Sequence, residues 1–148
     1  MSRRAHVRIL VAASVSLALV GASACGEARD PFTRGMSFGT IEQAFQQQGL
    51  HLCSNKPSDT LPNQAVAGRE YRVALDCSTS DDAAVTIDRF KQAEDRDAAA
   101  RNFEVQARPR AGGAVYTVGP FAVLILPATS DDNITSRLNT ALKKLSAN

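Results

Sequence analysis

Tryptophan is absent from this chain, phenylalanine and tyrosine number six and two, and histidine occurs only twice. One of the histidines, His6, lies ahead of residue 25, so His51 alone remains in the rest of the chain. General acid–base chemistry there would have to rest largely on carboxylates. Long apolar runs are missing too. The longest in the first part of the chain, Ile9–Val20, has twelve residues, whereas a permanent membrane-spanning helix needs roughly 20. A basic surplus is lacking as well. The formal charge is +2, but Arg3, Arg4 and Arg8 precede residue 25 and none of the 15 acids do, which leaves 14 basic residues against 15 acidic ones. A nucleic-acid partner, whose phosphates need an excess of Lys and Arg, is excluded. So is a polybasic membrane-binding segment. The sequence has no phosphate-cradling glycine loop, no zinc-ligand spacing and no nucleophile elbow. Neither motif nor composition calls for a cofactor or a metal.

What is present begins with an export signal over residues 1–24. Three Arg lie within Met1–Arg8, the apolar stretch Ile9–Val20 follows, and Gly21-Ala22-Ser23-Ala24 is a run of small residues. Ser2-Arg3-Arg4 gives a weak twin-arginine hint, against which His6 stands where an apolar residue is preferred. Ala22-Ser23-Ala24-Cys25 resembles the lipobox of bacterial lipoproteins, with Ala22 where that family usually has Leu or a similar apolar residue. The resemblance covers only about the first 25 residues. It implies that the Cys25 thiol receives a diacylglyceryl group, that cleavage falls before Cys25, and that the new amine is often acylated. Ala22 and Ala24 also satisfy the A-x-A rule of the ordinary signal peptidase, which would cut the same bond. Two or three acyl chains would exceed the single chain that anchors only marginally.

Cysteine parity links this reading to a second one. The chain has Cys25, Cys53 and Cys77. With Cys25 lipidated, two thiols remain, and an oxidising compartment allows them to join as a disulfide.

Cleavage would leave 124 of the 148 residues, enough for one domain with an ordinary core. Residues 25–39 read as the lipidated Cys and a tether without helical or alternating period. Its 14 residues after Cys25 reach at most about 45–50 Å when extended. Residues 40–148 read as a single α+β domain. Thr40 with Gln43 suggests a capping box, Ile41, Ala44 and Phe45 an apolar helix face, and Gly49 a C′ residue. Leu50–Cys53 reads as a short strand and residues 54–68 as a loop. Residues 70–77 and 83–90 alternate on either side of a polar turn, which predicts an antiparallel hairpin. Residues 93–106 form a second helix with Ala99, Ala100, Phe103 and Ala107 inward. Residues 114–118 and 121–126 are strands, the second apolar enough to be covered on both faces. The last helix has Asp131 and Asp132 at its positive end, Lys143 and Lys144 at its negative end, and an apolar stripe of Ile134, Leu138, Ala141, Leu142 and Leu145. The order α-β-β-β-α-β-β-α predicts a mainly antiparallel sheet of four to five strands with about three helices packed on it.

Chemistry is harder to find. His51 and Cys53 share a strand face, but a Cys–His nucleophile pair requires a reduced Cys53, which the disulfide excludes. Asp76, Asp81, Asp82 and Asp88 gather around the hairpin turn without the spacing of a calcium loop. Residues 94–97 read as helix-start charge on a wet face. The expectation is a membrane-anchored envelope lipoprotein that binds a protein partner or a small ligand without catalysis. The rival is a small hydrolase using paired carboxylates such as Asp76 and Asp88.

Overall fold

The computed structural model describes residue 32, residues 35–128 and residues 132–147; Cys25 and Asp131 lie outside them. The elements are α1 (Phe38–Gln47), β1 (His51–Pro57), β2 (Ala65–Ala74), β3 (Asp82–Phe90), α2 (Ala93–Ala107), β4 (Ala114–Val118), β5 (Phe121–Pro127) and α3 (Asp132–Ser146). The five strands form one antiparallel sheet in the order β1-β2-β3-β5-β4. The chain is therefore the α+β fold that its element order implies.

The pleat explains the layers. Val85, Ile87, Val123 and Ile125 point to one face, where Ile41 and Phe45 of α1 and Ile134, Leu138 and Leu142 of α3 bury them. Phe90, Ala122 and Leu124 point to the other, under Ala99, Ala100, Phe103 and Ala107 of α2. Three of these four α2 side chains are alanine, so the helix can lie close on the sheet. β5 sits between β3 and β4 with both faces covered, which is why its sequence is almost uniformly apolar.

Several boundaries differ from the sequence reading. The first helix is capped by Ser37, whose hydroxyl accepts from the Thr40 amide at 3.2 Å, and Thr40 closes the capping box in place of Gln43. The earlier start lets Phe38 pack edge-on against Phe121, with ring centroids 4.9 Å apart. At the other end Gly49 has φ +72° and follows the cap as expected, while Arg137 of α3 donates to the Gln48 carbonyl at 2.7 Å.

The region read as a loop over 54–68 is mostly strand. Residues 54–57 extend β1 and 65–68 begin β2, leaving 58–64 as the connection. β1 is an edge strand whose Ser54, Asn55 and Lys56 are exposed. Its backbone ladder needs no apolar alternation, so the hydropathy pattern could not reveal it.

The described part of the stretch that reads as a tether rests on the domain. The Arg96 guanidinium lies 4.9 Å from the Phe32 ring centre, and Met36 approaches Gly119 in the β4–β5 turn.

Candidate functional site

β2 and β3 pair so that Gly68 stands opposite Asp88 and Glu70 opposite Thr86. All four belong to the sheet face on which α2 lies. α2 packs on β3, β5 and β4 and leaves part of this face to the 58–64 connection. Between the connection and the helix is a cleft of about 370 Å³, within the size range of small-molecule sites. Asp88 and Thr86 line it together with Glu70, Leu124, Phe103 and Gln106.

Asp88 is only 1% exposed, and among the described residues its buried Oδ1 has no hydrogen-bond partner. A carboxylate stripped of water and left without donors is disfavoured in its charged form. Burial first, and then the Glu70 charge nearby, push the Asp88 carboxyl up to about 6. Gly68 makes the site possible. A Cβ at this position would run into Asp88 Oδ1 and stand 2.6 Å from Leu61 Cδ2, so a larger residue would push against the carboxyl and the Leu61 side chain above it.

Glu70 is in a different state. Lys56 Nζ lies 2.9 Å from its Oε2, and the Ser58 hydroxyl donates to its Oε1 at 3.2 Å. The Lys56 contact holds the Glu70 carboxyl below its usual range despite opposing desolvation. Both oxygens are thus engaged. Of the two carboxyls, Asp88 is the one without a compensating cation, and no Lys, Arg or His lines the cleft.

The residues singled out in the sequence are dispersed. Cys53 and Cys77 form a disulfide with Cα atoms 5.3 Å apart, so the His51–Cys53 nucleophile pair is ruled out. Cys77 lies beyond the end of β2, because the strand stops at Ala74 and not at residue 77. There Asp76 turns its carboxylate back onto the Ser78 amide at 2.9 Å, and this backbone bond holds its pKa below the ordinary value. Asp82 pairs with Arg72 at 2.9 Å, and Asp97 with Arg96 at 2.7 Å. Asp88 belongs to none of this. It lies six positions along β3 from Asp82, whose partner is Ala74, so Asp76 and Asp88 are roughly 20 Å apart at 3.3–3.4 Å per residue. The suggested Asp76–Asp88 pair does not exist as a site. Among the described residues, no group of three or more His, Cys, Asp or Glu could hold a metal ion.

Sequence reasoning missed Glu70, Ser58 and the cleft itself. The register of β1 on β2 brings Lys56 and Glu70 opposite each other, and nothing in composition announces that register. Asp88 did carry a signal. It stands between Thr86 and Phe90 on a strand whose neighbour β5 is apolar on both faces, a setting in which a lone carboxyl will be buried.

The fold and the cleft define an α+β domain with one buried, uncompensated carboxyl at a solvent-facing hollow. Compared with known proteins, the chain matches no family model, no curated protein and no solved structure.

Proposed function

We propose that this chain is an exported bacterial lipoprotein, anchored through Cys25 on the outer side of the cytoplasmic membrane or in the outer membrane, whose domain is a non-catalytic ligand-binding module. The observation that carries the anchoring is the run Ala22-Ser23-Ala24-Cys25 behind a short apolar stretch. The Cys53–Cys77 bridge supports it, because neither of those sulfurs is left to pair with Cys25. A lipid would replace the unpaired thiol that export otherwise leaves exposed. No helix among the described residues is long and apolar enough to cross a membrane. Intact-mass measurement of the protein taken from membranes tests this. The expected mass is that of a chain beginning at Cys25 plus one diacylglyceryl group, with or without a third acyl chain on its amine; an unmodified Cys25 would overturn the anchoring.

The binding reading rests on the α2-side cleft. A carboxylate-dependent hydrolase is the competing reading, favoured by the opposite shifts of Asp88 and Glu70, since paired acids with diverging pKa values suit acid–base work. It is the weaker one because Lys56 and Ser58 already occupy both Glu70 oxygens. The cleft offers a ligand one free carboxyl, which suits recognition better than a two-carboxyl mechanism.

A further inference from the structure

We propose that the cleft between the 58–64 connection and α2 is a site for a small organic ammonium ion with an apolar body, with Asp88 as its counter-ion. This rests on the ligand-binding reading above and gives its ligand a chemical class.

The argument runs by charge and then by shape. With Glu70 neutralised by Lys56, Asp88 is the one uncompensated charge on the cleft, and the lining holds no Lys, Arg or His to receive an anion. A hard divalent cation takes six or more oxygen ligands, but Asp88 is the one carboxyl here with no partner, since Glu70 is committed to Lys56 and Ser58. Much of the remaining lining is apolar: Phe103, Leu124, Leu61 and Pro62. Those walls would strip a metal of its water and return no ligands. They suit the hydrocarbon part of an amine. An ammonium group carries three donors and no acceptor. Asp88 can take one, and the Thr86 hydroxyl and Gln106 amide oxygen lie on the same cleft for the others. The buried carboxylate then gains the partner that a desolvated charge requires. Leu61, 45% exposed, has its Cδ2 within 2.6 Å of the same point above Gly68 that Asp88 Oδ1 approaches. It is the side chain that would move to admit a ligand to the carboxyl.

The test is an amide-resolved NMR titration of the full mature protein in non-ionic detergent. The probes are benzylammonium and butylammonium chloride, with benzyl alcohol, butyrate and calcium chloride as comparisons. The expected result is saturable shifts at Gly68, Thr86 and Gln106 with the ammonium probes alone, and a loss of affinity of about tenfold or more in Asp88→Asn. That variant keeps the side-chain shape and removes a buried charge. If it does not fold, the wild-type protein answers by pH: ammonium affinity should weaken about tenfold between pH 7.5 and 5 as Asp88 takes up a proton, and a flat profile sinks the proposal. Benzyl alcohol binding as well as benzylammonium, or calcium alone shifting the cleft, would overturn the ammonium class and leave the cleft as a binding site. No shift with any probe would overturn both the ammonium class and the assignment of binding to this cleft.

Discussion

Asp88 sits in a β-strand face otherwise given over to Thr86, Phe90 and the underside of α2. Because its carboxyl titrates near 6 in the folded chain against an ordinary 3.8, the folded state binds its proton more tightly than the unfolded state does. Between about pH 4 and 6 the native chain therefore holds the extra proton, and stability falls as pH rises through that window. The loss is complete above it and amounts to at most about 3 kcal/mol. Asp88→Asn should remove the dependence and leave the protein more stable than wild type at pH 7.5, by about 1–3 kcal/mol. Glu70 and Asp76 act in the opposite sense, since their lowered carboxyls stabilise the fold in the ionised form and cease to do so in acid. The difference between variant and wild type cancels them. Urea midpoints at pH 4.5, 6 and 7.5 decide it: a constant difference across the three would mean that Asp88 is not the titrating group.

Among the elements, α3 and the hairpin were the most legible, and β1 was the least. The apolar stripe of α3 lands as read, with Ile134, Leu138 and Leu142 buried against the same core as Val123 and Ile125, and Leu145 only partly covered. Periodicity succeeds there because a helix on a sheet must hide one face. It fails for β1, which is held by backbone pairing and a disulfide at its β-bulge between Leu52 and Ser54. Ser37 and Thr40, three positions apart, are both competent caps, and with the cap at Ser37 the helix takes in Phe38, which lies edge-on to Phe121. In the sequence Asp88 reads as one of the hairpin-turn acids, because adjacency in sequence does not reveal which end of a strand faces a cleft. The α3 packing gives a direct test. Leu138 is fully buried and Lys143 exposed. Leu138→Ala should lower stability by about 2–5 kcal/mol, whereas Lys143→Ala should change it by less than about 0.5 kcal/mol. Both variants keep good helix formers, so urea midpoints that coincide would show that α3 does not pack by this stripe.

For the whole molecule the bridge and the tether matter most. Phe32 and Met36 already rest on the domain, so the chain left between Cys25 and Phe32 is half of what the sequence suggested, and its reach is at most about 25 Å. An anchor at Cys25 would hold the β4–β5 turn toward the bilayer and the bridge at the opposite end of the sheet. Cys53 and Cys77 are 24 residues apart, and closing such a loop should contribute about 3–3.5 kcal/mol in the chain-entropy view. The double variant Cys53→Ser, Cys77→Ser should accordingly unfold at lower urea, and a midpoint equal to wild type would remove the bridge from the account of stability.

The bridge also decides what the sheet offers to its neighbours. β1 covers the backbone of β2 from Arg69 to Ala74, and apart from that ladder it is held by the cross-link, by the Lys56–Glu70 ion pair and by Leu52 packed against the core. If the sulfurs part and β1 swings away, β2 presents an open row of amides and carbonyls, the template on which a second chain can add a strand. If the chain is anchored as proposed, crowding on the membrane would bring that second chain close. The cross-link, besides bracing the folded state, would then act as a guard that keeps each copy from being stitched to the next.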